Sequence, residues 1–326
     1  MPFDSRLGKA PVQVPGRGDG VTDRQCTIRY FDIDWLSRHD GPGTRVVLFL
    51  QGCVLACPWC HSPHSRFVRS PILFFENRCL SCGRCAGVCP EGLRGPDARE
   101  EREVGDLCRR CGACVFVCPA SRPDGTAGAL VLPTREATPE ELFALLLPQL
   151  ELVRSIGGLT LSGGEALLQG AGAARLLELA RSAGFHTAVE TSGLLPRERY
   201  AAVGGLVDCW LFGLRSDIPG AGARERFGAR AENLRFLATL PARVIIRKPL
   251  VAGVTDTLEE LEATIDLMTE CGVLEIDLLP LNPHTGHYYR ALGLECPPMA
   301  EFIPTSDAVA AVRVFFDEGG LTVTSR

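Results

Sequence analysis

The sequence predicts an α/β protein, a parallel sheet built from βα units and interrupted once by a small cysteine-rich insert. Three observations carry this. From Thr138 onward, short apolar runs alternate with amphipathic helical stretches about six times, as in parallel βαβ units. Arg45 to Leu50 is a continuous β-branched and apolar run of the kind buried in parallel sheets. Between them, roughly Leu73 to Leu130 lacks that rhythm and carries two copies of one cysteine run. The chain therefore divides into a flexible N-terminal arm (1–25), an α/β domain in two pieces (26–72 and 131–326) and the insert (73–130). Spacing alone permits a barrel or a doubly wound open sheet alike.

Composition narrows the function. With 326 residues, 46% of them hydrophobic, the chain can bury a large core. A net charge of −5 gives no basic footprint for nucleic acid. No apolar run approaches the ~20 residues of a membrane span, so no membrane association is expected. Met1 to Gly20 is rich in glycine and proline and has no apolar signal core, so a cytoplasmic location is expected. Fifteen cysteines would suggest disulfides in a small secreted domain. In a long chain with tight C-x2-C spacing they read as reduced, metal-bound thiols.

Taken in order, Cys26 to Phe31 alternates well enough for a strand at a sheet edge, with Cys26 a packed thiol. Asp40-Gly41-Pro42-Gly43 is a turn, and Arg45 to Leu50 is the first buried strand. Its C-terminal end, where α/β folds place their chemistry, leads into Gly52 to His61. That loop holds Cys53, Cys57 and Cys60 in the pattern C-x3-C-x2-C. Three thiolates this close can hold three irons of a [4Fe–4S] cube and leave the fourth open. A zinc knuckle completed by His61 is the alternative. In the insert, Cys79, Cys82, Cys85 and Cys89 are followed by Pro90, and Cys108, Cys111, Cys114 and Cys118 by Pro119, both spaced C-x2-C-x2-C-x3-C-P. This is the bacterial ferredoxin run, in which the fourth cysteine of each copy serves the other cluster. One cube is thus assigned to Cys79, Cys82, Cys85 and Cys118, and a second to Cys108, Cys111, Cys114 and Cys89. A structural zinc pair is the alternative. The linker Glu91 to Gly105 is charged and reads as solvated.

Beyond the insert, Thr138-Pro139-Glu140-Glu141 opens a helix with a capping box, its apolar face including Leu142, Leu145 and Leu146. Strands are expected at Gly158–Leu161, Phe185–Glu190, Leu206–Phe212, Arg243–Leu250, Leu274–Leu279 and Leu321–Thr324, and helices at Ala173–Ala183, Ala231–Thr239, Leu258–Glu270 and Asp307–Asp317. Ser162-Gly163-Gly164-Glu165 follows the first of these strands, where glycine lets backbone approach a ligand closely and Glu165 can accept from an ammonium. Arg247 lies inside an apolar strand and needs a partner there, which a structural salt bridge would also provide. Cys209, Cys271 and Cys296 lack ligand spacing and read as buried thiols.

The run His39-Asp-Gly-Pro-Gly-Thr-Arg45, the strand after it, the three-cysteine loop and Gly158-Leu-Thr-Leu-Ser-Gly-Gly-Glu165 together resemble the radical S-adenosylmethionine (SAM) enzymes. More narrowly they resemble the glycyl-radical-enzyme activating enzymes, the family of pyruvate formate-lyase activating enzyme. The resemblance covers Ile28 to Cys60 and most of Gly158 to Gly293. It implies a partial (β/α)6 barrel carrying a ferredoxin-like two-cluster insert, with three [4Fe–4S] clusters and SAM as cofactors. It implies that SAM chelates the open iron, that Trp59 lies near the adenine, and that Ser162, Gly163, Gly164 and Glu165 hold the methionine end. Arg247 would face the SAM carboxylate, and Asn282 and His284 the ribose or adenine, although His284 and His287 read equally as ordinary loop histidines. The family also holds a monovalent cation beside SAM, using an acid–Thr pair that matches Glu190-Thr191 and a carboxylate in Asp-x-Lys. Here the latter is Gly213-Leu214-Arg215, so the carboxylate is missing while Arg215 keeps the positive charge. The activity implied is reductive cleavage of SAM to a 5′-deoxyadenosyl radical that takes a Cα hydrogen from one glycine of a partner glycyl radical enzyme. Flavodoxin or ferredoxin would donate the electron to a monomeric activase, with the insert as relay or docking face. The alternatives are a radical SAM enzyme acting on a small molecule or peptide, and an electron-transfer iron–sulfur protein.

Overall fold

The computed structural model describes residues 26–93, 108–215, 223–283, 285–296 and 299–324. The expected arm, most of the 91–105 linker and His284 lie outside them. In chain order the elements are β1 (Ile28–Ser37), β2 (Thr44–Leu50), β3 (Leu73–Phe74), α1 (Ala113–Phe116), β4 (Leu130–Val131), β5 (Arg135–Ala137), α2 (Pro139–Val153), β6 (Gly157–Gly163), α3 (Gly170–Ser182), β7 (His186–Thr191), α4 (Arg197–Ala201), β8 (Cys209–Gly213), α5 (Ala223–Ala238), β9 (Arg243–Leu250), α6 (Leu258–Cys271), β10 (Glu275–Pro280), α7 (Gly286–Leu292), α8 (Ser306–Glu318) and β11 (Thr322–Val323).

Strand order decides between the two topologies that spacing left open. Among the described residues the main sheet runs β11-β10-β9-β8-β7-β6-β2-β1-β5. From β2 to β11 every neighbouring pair is parallel. A doubly wound sheet reverses its strand order at a switch point. Here the parallel strands follow the chain without reversal, so crossovers of one hand put the helices on one face, as in a partial barrel. Val46, Leu159, Val189, Phe212, Ile246 and Ile276 point to that outer face and bury against Leu146, Leu176, Leu234, Met268 and Phe316 of the helices. The alternate residues point inward. Ala188, Cys209, Leu211 and Ile245 form a small apolar layer inside, and Thr160, Ser162, Glu190, Arg247 and Asp277 share the inward phase.

Four expectations are corrected. The first strand is longer than Cys26–Phe31 and is not the edge, because the hairpin to β2 carries it to Ser37 and β5 covers its outer side. Cys26 is exposed among the described residues. Leu145 is 48% exposed, since the buried stripe of α2 is Leu142, Leu146, Leu150 and Val153, spaced nearly one turn apart. Helix α7 falls where a plain loop was expected. It is short, starts on glycine, and ends on a left-handed Gly293 whose amide bonds the Arg290 carbonyl.

The capping box of α2 forms as expected. The Thr138 hydroxyl accepts from the Glu141 amide at 3.2 Å and the Glu141 carboxylate accepts from the Thr138 amide at 2.8 Å. Thr138→Ala is expected to lower stability by about 1 kcal/mol in anaerobic urea unfolding. No change would show the cap to be idle.

The hairpin turn between β1 and β2 folds under the inner face. The Asp40 carbonyl accepts from Thr160 at 2.8 Å and the His39 carbonyl from Arg247 at 2.6 Å. A cavity of about 300 Å³ remains between this turn and β9–β11. β3 and β4 pair antiparallel where the chain leaves the α/β domain and returns to it. No described helix is long and apolar enough to cross a membrane.

Candidate iron–sulfur and cofactor site

The cysteine loop is stitched to the end of β6 by backbone alone. Gly164 N–H donates to Leu50 O at 2.9 Å, Glu165 N–H to Gly52 O at 2.8 Å, and Gly52 N–H to Ser65 O at 2.8 Å. The Gly-Gly pair is what allows this. Gly163 has φ +111°, and a Cβ at Gly164 would lie 2.1 Å from the Gly52 carbonyl oxygen. The close approach expected toward a ligand is, at these two positions, an approach to the root of the cysteine loop.

Cys53, Cys57 and Cys60 are half-buried, and the Cys53 sulfur accepts the Leu55 amide at 3.4 Å. Burial pushes the Cys53 thiol up to about 12 and raises Cys57 as well, while Arg215 and Arg66 draw Cys57 down. Metal ligation needs thiolates, and guanidinium groups nearby suit a set that carries negative charge. Arg66 was not legible as a site residue. Its Nη2 donates to the Cys57 carbonyl and, at 2.7 Å, to the Tyr289 hydroxyl. That hydroxyl in turn donates to Pro58 O at 2.8 Å.

Glu165 is fully buried and already occupied. Its Oε1 accepts from the Thr191 hydroxyl at 2.9 Å, and Oε2 from the Ser192 amide and hydroxyl at 2.8 and 2.6 Å. Burial raises its pKa and these hydrogen bonds oppose the rise. Glu165 thus ties the end of β6 to the end of β7. From α5, Arg230 Nε donates to Ser192 O at 3.1 Å and Asn233 Nδ2 to Gly193 O at 2.9 Å, so the β7 loop is clamped from behind as well. Neither α5 residue carried a sequence signal.

Glu190 accepts from Ser162 Oγ at 2.6 Å and faces Arg215 at 3.7 Å and Arg247 at 3.9 Å. Burial alone would raise its pKa, but Arg247 and Arg215 together hold it below the usual carboxylate value. Arg247 is shared further, with Asp277 at 2.8 Å and Asp40 at 3.9 Å. Burial and the neighbouring Glu190 raise the pKa of Asp40. The structural salt bridge weighed for Arg247 is therefore present. Trp59 packs with Val251 and Leu281 beyond β9 and β10, against Cys57. Asn282 follows Leu281 and is exposed. The structure thus gathers the cysteine loop, Trp59, Ser162–Glu165, Glu190, Arg215 and Arg247 around the carboxyl ends of the parallel strands and the inner face below them.

These residues fit SAM. Trp59 Nε1, Arg215 Nε and Arg247 Nε are buried donors with no hydrogen-bond partner among the described residues. Each unmet buried donor costs about 1–3 kcal/mol, a penalty that a polar, carboxylate-bearing cofactor relieves.

The insert repeats one local geometry. Cys79 Sγ accepts the Ser81 amide and Cys108 Sγ the Arg110 amide, both at 3.4 Å, as Cys53 does from Leu55. Ser81 and Arg110 both take left-handed backbone, φ 52° and 54°, which non-glycine residues adopt under constraint. Cys89 lines one small cavity with Cys108, Cys111 and Cys114, the set expected for the second cube. Cys85 and Cys118 pack against one apolar cluster with Ile72, Val115 and Leu130. Among the described residues no three His, Cys, Asp or Glu side chains converge closely enough to share a single metal ion.

A partial parallel barrel with a three-cysteine loop after its first parallel strand, interrupted by a two-cluster cysteine insert, defines a radical SAM iron–sulfur enzyme. Residues 71–119 match the 4Fe-4S dicluster domain family, and residues 39–84 the 4Fe-4S single cluster domain family. The chain is 34% identical over 289 residues to the choline trimethylamine-lyase activating enzyme of Oleidesulfovibrio alaskensis, covering 85% of this chain and 90% of that protein. It is 30% identical over 307 residues to the pyruvate formate-lyase 2-activating enzyme of Escherichia coli, with 93% and 94% covered. It is 30% identical over 271 residues to the 4-hydroxyphenylacetate decarboxylase activating enzyme of Clostridioides difficile, with 80% and 84% covered. Among solved structures, a domain of a pyruvate-formate lyase-activating enzyme from Bacteroides vulgatus superposes at TM-score 0.42 and 21% identity, covering 52% of this chain and 99% of that one. The chain belongs to the glycyl-radical-enzyme activating enzymes. It is an enzyme that generates a 5′-deoxyadenosyl radical from SAM to activate a partner glycyl radical enzyme.

Proposed function

We propose that the activase carries three [4Fe–4S] clusters and that its insert relays electrons from a flavodoxin or ferredoxin to the SAM site. It acts as a cytoplasmic monomer on one glycyl radical enzyme. Cys53, Cys57 and Cys60 hold the SAM-binding cluster. When bound, that cluster and SAM supply the one-electron cleavage that yields the 5′-deoxyadenosyl radical. The protein's own part is to hold, orient and exclude. Arg66 and Tyr289 fix the Cys57–Pro58 backbone. Gly163, Gly164 and Glu165 keep the β6 end locked to the same loop, and Ser162 positions Glu190. Arg215 and Arg247 supply positive charge for a carboxylate, and Trp59 an apolar wall with a free N–H for a base. Asn282 and His284 are proposed to contact the ribose or adenine. The observation that carries this reading is the backbone stitching of the cysteine loop to the Gly-Gly-Glu segment, which makes cluster ligands and cofactor cradle one rigid unit.

Anaerobic reconstitution is expected to load about twelve irons per chain, four for each cube. A plateau near four, or stoichiometric zinc, overturns the insert assignment. Cys118→Ala is expected to lose the cube shared with Cys79, Cys82 and Cys85 and to keep SAM cleavage under dithionite. Cleavage driven by flavodoxin or ferredoxin should fall sharply. If that cleavage persists while the glycyl radical yield on the partner drops, the insert is a docking face instead.

A further inference from the structure

The residues around Glu190 do not fit the monovalent cation that the family resemblance implies. Gly213 brings no carboxylate. The Thr191 hydroxyl is already engaged, donating to Glu165, accepting from the Gly193 amide at 3.2 Å and lying 3.2 Å from the Tyr200 hydroxyl. Glu190 Oε2 is taken by Ser162. Its Oε1 faces two guanidinium groups, Arg215 at 3.7 Å and Arg247 at 3.9 Å. A metal ion beside that oxygen would meet two positive charges and have few oxygens left to bind.

The same substitution that removes the carboxylate makes room for the arginine. A Cβ built on Gly213 would lie 3.1 Å from Arg215 Nε and 3.1 Å from the Thr191 carbonyl oxygen. Any side chain at 213 would therefore crowd Arg215 as it folds back toward Glu190. Arg247 is also divided among Asp277, Asp40 and the His39 carbonyl, and Arg215 is the nearer of the two cations to Glu190.

We infer that the Arg215 guanidinium, admitted by Gly213, stands in for the monovalent cation, so that this activase binds its cofactor without one. Lysine at 215 would not be equivalent, because a planar guanidinium and a compact ammonium present their charge differently. The inference rests on the SAM site proposed above, and two readouts keep the two apart.

The reconstituted holoenzyme is exchanged into tetramethylammonium chloride, and sodium is titrated in while ²³Na relaxation is recorded. SAM affinity is measured by calorimetry in tetramethylammonium, sodium and potassium chloride at equal ionic strength. Expected are no saturable sodium binding and SAM affinities within about twofold across the salts. Stoichiometric sodium binding overturns the inference, and so does an affinity tenfold or more weaker in tetramethylammonium. A protein that binds no SAM in any salt defeats the SAM site itself, and the sodium titration still decides the cation question. The double variant Gly213→Asp, Arg215→Met restores the carboxylate and removes the guanidinium. It is expected to gain saturable sodium binding. A folded double variant that binds no sodium shows that Arg215 does not hold a cation's place and overturns the inference.

Discussion

Cys57→Ala is expected to release no 5′-deoxyadenosine above background under dithionite, while keeping about eight of its irons. The size of the effect follows from counting donors. The loop offers three thiolates for a cube with four iron corners, so removing one leaves two, which no longer anchor the cluster. The backbone should survive the change. Arg66 and Tyr289 hold the carbonyls of Cys57 and Pro58, not the sulfur, and the loop root is fixed to Gly164 and Glu165. The insert lies in a separate segment with its own cysteines and should load normally. Normal 5′-deoxyadenosine release from Cys57→Ala would sink the assignment of the open cluster. Loss of all the irons would show that the insert depends on the loop and that the two are not separate binding units.

The fold was legible where chemistry is local. Continuous apolar runs marked the parallel strands, and Thr138 with Glu141 marked the start of α2, because both signals reside in neighbouring residues. The strand order was not legible from spacing, since one βα period feeds either a barrel or a doubly wound sheet. Only the register of β2 on β6, set by pairs such as Val46 with Leu159, and the unreversed order beyond it separate them. The cysteine loop was legible because three thiols in a short run leave little else to do. Arg66 and Tyr289 were not, because their hydrogen bond joins positions 223 residues apart in sequence. Glu165 shows the limit most clearly. Its place in the Gly-Gly-Glu string marked the site, but its role as a tie to Thr191 and Ser192 depends on β7 lying beside β6.

Arg247→Met is expected to lower the stability of the holoenzyme by about 3–5 kcal/mol, the usual consequence of leaving buried charge without its partner. Arg247 and Asp277 form an ion pair on the inner face, 2.8 Å apart with side chains only 6% and 15% exposed, and Asp40 and Glu190 share the same guanidinium. Methionine fills similar volume, so the loss reports charge more than packing. The loss should also depend on pH. Asp40 already has a raised pKa in the fold, from burial first and then from Glu190, with Arg247 opposing. Without Arg247 that rise grows, and a carboxyl whose folded pKa lies above its unfolded one favours the fold at low pH and loses that contribution as pH climbs through the folded value. The deficit measured by anaerobic urea unfolding should therefore grow as pH rises. Asp277→Asn added to Arg247→Met should recover part of the loss, since it removes one of the stranded charges. A single variant within about 0.5 kcal/mol of the parent would dismiss the network. SAM affinity on the same protein then separates frame from ligand contact. A charge-assisted hydrogen bond to the cofactor carboxylate corresponds to roughly a ten- to hundredfold loss in affinity. Lost stability beside an unchanged SAM affinity would leave Arg247 as part of the frame alone, with the cofactor carboxylate held elsewhere.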